Sequence, residues 1–415
     1  MPLQIPDPVI GAWTKGFQAN AAGLRLSEVG AAGLHLSDLG TPVLTVHSDA
    51  LRHNEETVFA WAREQGVSLA PHGKTTMAPA LWQRLLDAGA WGISVATPWQ
   101  AEVAIDAGVQ TVLIANAVTD AVAAGRLVGL LSANEGLRVL CWADSLEGVA
   151  ILEKAVREAQ NAGHSHSGHS RPLDVLVELG GAQGRTGART VDEGQEIAQA
   201  IARAAGLRLA GVAGYEGPFG PDRSDTSIAA VDAYLQTIVE LHTLLHYPAD
   251  VKPVVSAGGS AFPDRAAAVL GRLGGEAEVV LRSGAFQIHD DGFYSRMSPF
   301  GPEIGTEPLR SAMHAWSRVV SQPEAGLALL DAGRRDVPFD LGLPVPQSTE
   351  GEITALNDQH AFLRLADGAS VRVGDVVRLG LSHPCTAFDK WRVVAVIDDP
   401  DAADPRVIDA VATCF

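Results

Sequence analysis

The sequence predicts an α/β protein, a (β/α)8 TIM-type barrel joined to a second, mostly β domain. Two observations support this prediction. From residue 67 onward, about eight short apolar runs alternate with amphipathic stretches over roughly 215 residues. After about residue 306, strand-like runs follow one another with turn residues and no helices between them. Short apolar runs that alternate with helices indicate parallel strands buried on both faces, and eight such units fit a barrel.

The barrel strands are expected in eight apolar runs: "VSLAPH", "GISVAT", "TVLIANA", "LRVLCWA", "LDVLVEL", "LAGVAGYE", "KPVVSAGG" and "AEVVLRSG". Helical periodicity is clearest in "DEGQEIAQAIARAAG" (192–206) and "SIAAVDAYLQTIVELHTLL" (227–245). We therefore expect the barrel to occupy residues 52–305.

The second domain is expected to combine residues 1–51 with residues 306–415. Its C-terminal part contains runs such as "GLALLDAG", "AFLRLA" and "WRVVAVID", which are rich in strand-forming residues and bounded by turn residues. The run "PVLTVHSDAL" (42–51) precedes the barrel and is taken as a strand that pairs with this domain. Both ends of the chain would then build one β domain.

Composition excludes several classes of function. The chain has 415 residues, 47% of them hydrophobic and 19% charged, which allows a sizeable core. A formal net charge of −18 argues against nucleic-acid or anionic-membrane partners. No run reaches the roughly 18 apolar residues of a membrane helix, and the N-terminus lacks the pattern of a signal peptide. Three cysteines do not make a disulfide framework, so we expect a reducing cytoplasm.

A lysine and two small-residue turns stand where a barrel places its chemistry. Catalytic residues of barrels lie at the C-terminal ends of strands, and phosphate often binds after strands 7 and 8. Lys74 follows the first run, while "SAGGS" (256–260) and "RSGAF" (282–286) end the seventh and eighth. Backbone N–H groups and serine hydroxyls in such turns can hold an anion. Together these features indicate pyridoxal phosphate, bound to Lys74 as a Schiff base.

The residues predicted to bind this cofactor at the three strand ends are His72, Lys74, Ser256, Gly258, Gly259, Ser260, Arg282, Ser283 and Gly284. His72 either faces the site or caps the end of its strand, and the sequence leaves both alternatives open.

Two further strand ends add polar candidates. "GGAQGRTGAR" follows the fifth run and contains Gln183 and Arg185, of which the arginine suits a cofactor oxygen or a substrate carboxylate. Tyr215, in "GYEGPFG" after the sixth run, could contact the pyridine ring. The alternatives are a surface arginine in a loop and a packed tyrosine.

A candidate metal site lies near the C-terminal end, in "LSHPCTAFDKWR" (381–392). His383 and Cys385 are two positions apart, so on a strand both side chains face the same way. Imidazole and thiolate together suit zinc, and two protein ligands leave open positions that favour catalysis. Other polar candidates are His53, His289 and Asp290. The His-rich stretch "NAGHSHSGHSRP" (161–172) either binds metal or is a mobile loop.

Three motifs together resemble a known family. "PHGKT", "LRSGAFQIHDDGFY" and "SHPCTAFDKW" are similar to segments of the D-serine dehydratase and D-threonine aldolase group, pyridoxal-phosphate enzymes of the alanine-racemase fold. The resemblance implies a homodimer acting on D-β-hydroxy amino acids, with Lys74 carrying the cofactor. It also implies zinc at His383 and Cys385, which match the positions where the dehydratases bind zinc. The aldolase branch has a carboxylate where this chain has Cys385, so the resemblance favours the dehydratases.

The sequence thus predicts a D-serine dehydratase-like lyase that forms a keto acid and ammonia. Lys74 would remove the Cα proton, and zinc would assist departure of the β-hydroxyl group. Three alternatives remain: retro-aldol cleavage to glycine and an aldehyde, racemisation of an amino acid, and a non-catalytic protein that carries pyridoxal phosphate.

Overall fold

The computed structural model describes residues 2–17, 20–161 and 171–415. The chain divides into two compact units. We call the first the barrel unit (Met1–Gln4, Phe59–Lys74 and Leu85–Gly284) and the second the β unit (Ile5–Val58, Thr75–Arg84 and Ala285–Phe415). The division predicted from the sequence, with a barrel at 52–305, stays a prediction.

Within the described residues the strands are β1 Val43–His47, β2 Ser68–Leu69, β3 Ile93–Val95, β4 Thr111–Ala117, β5 Arg138–Ala143, β6 Leu173–Glu178, β7 Leu207–Ala213, β8 Val254–Ala257, β9 Glu278–Leu281, β10 Met313–Glu324, β11 Leu327–Leu330, β12 Val345–Pro346, β13 Gly351–Leu356, β14 Ala361–Leu365, β15 Val376–Gly380, β16 Val393–Ile397 and β17 Val407–Ala412.

The α-helices of the same residues are α1 Ser48–Glu64, α2 Pro79–Asp87, α3 Pro98–Asp106, α4 Ala121–Ala133, α5 Leu146–Asn161, α6 Val191–Arg203, α7 Asp225–Leu244, α8 Pro263–Leu270, α9 Phe293–Met297 and α10 Cys385–Phe388. Short 3₁₀ helices include Gly73–Thr75 and Gly217–Phe219. None of these helices combines the length and the apolar composition that a membrane crossing requires.

The described part of the barrel unit contains one sheet of eight parallel strands in the order β2-β9-β8-β7-β6-β5-β4-β3. A parallel bridge between His72 and Ser94 links the chain after β2 to β3, the other end of the sheet. Each of the eight predicted runs overlaps one of these strands, and the two predicted helices correspond to α6 and α7. The predicted fold class, a barrel with a mostly β second domain, is confirmed.

Strand periodicity builds a polar layer on top of the apolar interior of the barrel. A buried cluster inside it includes Ala70, just after β2, together with Leu113, Leu140, Leu176, Val254 and Val280 from β4, β5, β6, β8 and β9. Residues two positions further along a strand point to the same face. In five of these strands or their direct continuations that next residue is His72, Trp142, Glu178, Ser256 and Arg282. Polar side chains therefore gather at the C-terminal end of the barrel, where barrel enzymes place their chemistry.

The β unit contains a sheet with the main order β13-β14-β11-β10-β1-β16-β17, while β15 pairs with β10 and β12. Strand β1 lies antiparallel to β10 and parallel to β16. The run 42–51 is only partly a strand, because β1 ends at His47 and α1 begins at Ser48.

One expectation for the C-terminal region was wrong. We expected no helices after residue 306 and a strand through His383 and Cys385, but Cys385–Phe388 forms the short helix α10. Pro384 precedes it with φ −55 and ψ −35, which are helical values, and the proline ring fixes φ in that range. His383 itself has φ +66 in the left-handed region, which ends the extended chain. Strand alternation therefore does not align the side chains of His383 and Cys385.

Candidate active site

Lys74 lies just beyond β2, in the 3₁₀ turn Gly73–Thr75. It is half-buried, whereas Thr75 and Thr76 after it are buried. A Cβ atom on Gly284 would lie 2.6 Å from the carbonyl oxygen of His72, so the chain after β9 packs directly against the chain that leads to Lys74. Glycine at position 284 permits this close approach.

His72 has an uncharged imidazole at neutral pH. Part of its ring is exposed, but Nδ1 is buried and has no hydrogen-bond partner among the described residues. Burial holds the pKa of His72 well below its ordinary value, and the positive charges of Lys74, Arg282 and Arg185 lower it further. Its ring faces the polar layer, which favours the first of the two alternatives that the sequence left open.

Arg282 is held at the centre of the polar layer. Its side chain donates to Ser256 Oγ at 2.8 Å and to the carbonyl oxygen of Gly214 at 2.6 Å. Its guanidinium carbon lies 4.8 Å from the ring centroid of Trp142, a cation–π distance. The residue is 5% exposed, and burial lowers the pKa of its guanidinium. Ser256 therefore orients an arginine.

The turn 256–260 differs in detail from the predicted anion cradle. The N–H groups of Gly258 and Gly259 donate to the two carboxylate oxygens of Glu216, at 3.0 and 2.5 Å. Ser283 Oγ donates to the carbonyl oxygens of the same two glycines, at 3.0 and 3.1 Å. Ser260 Oγ accepts from the N–H of Gly284 at 3.2 Å. In this structure the protein's own carboxylate thus takes the place predicted for a phosphate at these two N–H groups.

Gln183, Arg185 and Tyr215 all lie at the surface of the barrel unit. The guanidinium of Arg185 lies 5.6 Å from the ring centroid of Tyr215. These two residues line a small cleft together with Glu178 and Thr186, whereas Gln183 is exposed outside it. The structure therefore brings Arg185 and Tyr215 together.

Three residues that the sequence argument did not single out stand in or beside the polar layer: Trp142, Glu178 and Glu216. Trp142 Nε1 and Glu178 Oε2 are buried with no hydrogen-bond partner among the described residues. Glu178 Oε1 accepts from Thr186 Oγ1 at 2.6 Å. Burial raises the pKa of Glu178, and Asp144 raises it further. A glutamate inside the apolar run "LDVLVEL" was the signal that could have found Glu178 from the sequence.

In the β unit, His383 is held by two aspartates. Its Nδ1 lies 2.6 Å from Asp340 Oδ2, and its backbone N–H donates to Asp290 Oδ2 at 2.9 Å. Asp290 is buried, and its other oxygen accepts the N–H groups of Gly292 and Tyr294 at 3.0 and 2.8 Å. Asp340 engages Nδ1, and Cys385 also forms a hydrogen bond with the imidazole.

Cys385 belongs to the same cluster. Its Sγ lies 3.4 Å from Oγ1 of Thr75, the residue that follows Lys74 in the chain. Burial alone would lower the pKa of His383, but the hydrogen bond and charge of Cys385, together with Asp340, raise it to about 9. His383 and Cys385 thus interact although no strand aligns them.

The remaining histidine candidates, His53 and His289, have surroundings of their own. His53 Nε2 lies 2.9 Å from the carbonyl oxygen of Pro308. His289 is buried in the left-handed region with φ +48, and burial lowers its pKa. Among the residues that the structure describes, no group of three or more His, Cys, Asp and Glu side chains is arranged to hold a metal. The three histidines of the stretch 161–172 lie outside the described residues.

Two family descriptions match the chain. "Alanine racemase, N-terminal domain" matches residues 46–267, and "Putative serine dehydratase domain" matches residues 312–397. The first match covers the barrel strands up to β8, and the second covers the strands from β10 to β16.

Several known proteins are similar along most of their length. The chain is 26% identical to a D-threonine aldolase of Arthrobacter sp over 86% of this chain and 89% of the relative. It is 25% identical to a 3-hydroxy-D-aspartate aldolase of Paracoccus denitrificans over 85% and 88%. The crystal structure of D-threonine aldolase from Filomicrobium marinum matches with a TM-score of 0.77 at 26% identity, covering 92% of this chain and 97% of that one. A D-threo-3-hydroxyaspartate dehydratase variant has the same fold, with a TM-score of 0.73 at 21% identity over 93% and 97%.

Proposed function

The chain belongs to the alanine racemase N-terminal domain family, whose alanine racemase-like members depend on pyridoxal phosphate, and from that premise we propose a lyase of D-β-hydroxy amino acids. The finer proposal is dehydration and deamination of D-serine, or a related D-β-hydroxy amino acid, to a keto acid and ammonia. The observation that carries it is Lys74 at a strand end of a barrel whose polar layer contains buried atoms without protein partners.

The polar layer fits such a cofactor. Three buried polar atoms of His72, Trp142 and Glu178 lack a hydrogen-bond partner among the described residues, and such atoms are rarely left unsatisfied unless a ligand or water completes them. When bound, pyridoxal phosphate supplies an electron sink for negative charge at the substrate Cα. We propose that Lys74 is its covalent attachment.

The other predicted cofactor residues divide by their position. We propose Ser260 and Gly284 as phosphate contacts, and Arg282, fixed by Ser256, as the cation beneath the ring. Gly258, Gly259 and Ser283 would shape the turn rather than touch the ligand, since the two glycine N–H groups donate to Glu216 and the Ser283 hydroxyl group donates to the glycine carbonyl oxygens. Arg185 and Tyr215 stay proposed ligand contacts, and Gln183 stays a weaker one because it lies outside the cleft.

Charge at the barrel mouth suits an anionic ligand. His72 is neutral because its pKa is low, so the positive charges around it come from Lys74, Arg282 and Arg185. A phosphate group or an amino-acid carboxylate is attracted by such a cluster. Once the substrate is bound, Lys74 in its neutral form would take the proton from Cα.

We also propose a divalent metal site in which the protein provides two ligands. His383 Nε2 and Cys385 Sγ are the two donors that would hold a divalent metal, and thiolate with imidazole favours zinc. There the metal would supply a Lewis acid for the departing hydroxyl group. Asp340 and Asp290 would keep the imidazole oriented through its Nδ1 and its backbone.

Retro-aldol cleavage is the second candidate. Two relatives that match most of the chain, at 26% and 25% identity, are aldolases of D-β-hydroxy amino acids. In that reaction a base removes the proton of the β-hydroxyl group, and glycine and an aldehyde are formed. Cys385 favours dehydration, because the resemblance places a carboxylate there in aldolases.

A product assay separates the two candidates. Purified protein with pyridoxal phosphate is incubated with D-serine or D-threonine, with and without a chelator, while keto acid, ammonia, glycine and aldehyde are measured. Keto acid and ammonia that disappear with the chelator support dehydration. Formation of glycine and an aldehyde would instead support the aldolase reaction. A protein that lacks the roughly 420 nm absorption of a lysine-bound cofactor would overturn both candidates.

Two broader expectations also remain proposals. We propose a homodimer, from the resemblance alone, which light scattering of the purified protein tests. We propose a cytoplasmic location from the sparse cysteines, which fractionation of the native host tests.

A further inference from the structure

We propose that Glu216 is a positioning residue that preorganises the turn 256–260, and that it thereby sets the affinity for the phosphate group of the ligand. This inference rests on the proposed function and deepens it, because it concerns how the same site recognises a phosphorylated cofactor. Glu216 stands at the start of the 3₁₀ helix Gly217–Phe219, just after β7, and it is absent from the residues that the sequence singled out.

The carboxylate of Glu216 is fully used by the turn. The residue has no exposed surface, and its two oxygens accept the N–H groups of Gly258 and Gly259. Two N–H donors to one carboxylate are charge-assisted hydrogen bonds, which are shorter and stronger than neutral ones. The bonds connect the chain after β7 to the turn after β8, so they fix the turn relative to its neighbouring strand.

A second set of bonds holds the turn from the other side. Ser283, after β9, donates to the carbonyl oxygens of Gly258 and Gly259, and Gly284 donates to Ser260 Oγ. The N–H groups and the carbonyl oxygens of both glycines are therefore hydrogen-bonded to protein groups at the adjacent strand ends. Ser260, the residue that follows the two glycines, is presented by a backbone with little freedom to move.

Packing argues that Glu216 is a permanent part of the site and not a stand-in that a phosphate displaces. A Cβ atom on Gly259 would lie 2.7 Å from the ring of Tyr215 and 3.2 Å from Glu216 Oε1. The carboxylate and the tyrosine ring thus both pack closely against Gly259 of the turn. If a phosphate displaced the carboxylate, Glu216 would lose its two hydrogen bonds to the turn and its place in the interior. Such a loss is unfavourable for a buried polar group.

The charge of Glu216 has a partner in the same layer. Arg282 is buried beside it and lowers the pKa of the Glu216 carboxyl group, while burial raises that pKa more strongly. The guanidinium thus offsets part of the negative charge that Glu216 brings near a phosphate site. Preorganised donors and dipoles act most strongly in such a dry environment.

The test compares a ligand with and without its phosphate. Dissociation constants of pyridoxal phosphate and of pyridoxal, which lacks the phosphate, are measured by absorbance for the wild type and for Glu216→Gln. Glutamine keeps the shape but removes the charge and places an NH₂ group opposite an N–H donor. We expect pyridoxal phosphate to bind about tenfold more weakly and pyridoxal to change by less than about twofold.

A conservative variant and a matched control sharpen the result. Glu216→Asp keeps the charge and shortens the side chain, so we expect part of the phosphate-specific loss to be recovered. Glu28→Gln is the control, because Glu28 also accepts a backbone N–H, that of Arg25 at 2.7 Å, but at the exposed surface. It should leave both dissociation constants unchanged. Thermal unfolding by circular dichroism checks that each variant is folded.

Each outcome has a consequence. Equal weakening of both ligands, or no change in either, shows that Glu216 does not act on phosphate recognition and overturns the inference. Tighter binding of pyridoxal phosphate by Glu216→Gln shows that the carboxylate competes with the phosphate, which also overturns it. A wild type that does not bind pyridoxal phosphate overturns the proposed function itself. If Glu216→Gln does not fold, the same pair of ligands is measured with Glu216→Asp and Ser283→Ala, and a phosphate-specific loss in both is then required.

Discussion

His72 in the barrel unit and His383 in the β unit experience opposite electrostatic surroundings. Burial and the positive charges of Lys74, Arg282 and Arg185 keep the pKa of His72 low. At His383, burial would lower the pKa, but Cys385 and Asp340 raise it to about 9. One imidazole is neutral with an unsatisfied Nδ1, and the other is bonded to a carboxylate.

These opposite surroundings of His72 and His383 indicate a different role for a ligand in each of the two units. The polar layer of the barrel has buried atoms without protein partners and a surplus of positive charge, so an anionic ligand completes it. In the His383 cluster the imidazole and the thiol already interact with protein groups. A ligand is therefore not required to hold this cluster together, and its role there would be chemical.

The largest expected effect is on the barrel side of this comparison. Lys74→Ala removes both the covalent attachment and the proposed base, so activity should fall at least about 10⁴-fold. Absorption of the bound cofactor near 420 nm (about that of a lysine-bound form) should vanish in the same variant. Lys154→Ala, at an exposed lysine of α5 that lies 3.8 Å from Glu158, is the control. Full activity in Lys74→Ala would refute the assignment.

His383→Ala tests the other side of the comparison. We expect activity to fall about 10²- to 10³-fold, which is the usual range for loss of one electrostatic or acid–base contributor, while the cofactor absorption is retained. Bound zinc, measured by atomic emission after dialysis, should drop in parallel. His53→Ala serves as the control. If the variant keeps its zinc and its activity, the metal proposal is withdrawn.

Asp290→Ala should destabilise the β unit. Four backbone N–H groups, those of Gly292, Tyr294, Ser295 and His383, lose their acceptor, and a buried donor without a partner costs about 1–3 kcal/mol. Urea unfolding measures the loss. Asp7→Ala is the matched control, since Asp7 also accepts a backbone N–H, that of Ser27, at the surface. Equal stability of Asp290→Ala and the wild type would show that the bonds are replaced by water.

The smallest effect is a pH dependence of stability that His72 contributes. Its pKa is lowered by burial in the folded protein, so above pH of about 6.5 the residue is neutral in both folded and unfolded chains and contributes nothing. Below that pH the unfolded chain binds a proton that the folded chain does not, and stability falls. Urea unfolding at pH 7 and pH 5 should show a smaller acid loss for His72→Gln than for the wild type. Identical losses would contradict the low pKa.

The barrel strands could be predicted because burial on both faces leaves an apolar run that local sequence shows directly. The place of Lys74 follows from the same runs. The hydrogen bonds of Glu216 could not be predicted from the sequence. They depend on which strand ends are neighbours in space and on the orientation of one carboxylate group. Near His383 a local signal existed and was misjudged, since Pro384 favours the first turn of a helix and the two-residue spacing suggested a strand instead.

Strand β1 has a consequence for synthesis of the chain on the ribosome. It lies between β10 and β16, so among the described residues its strand partners are segments made after residue 312. Until those emerge, both edges of β1 lack their final partners, and unpaired edges invite association with other chains. We therefore expect nascent chains that stop between β9 and β16 to aggregate or to recruit chaperones, whatever the state of their barrel.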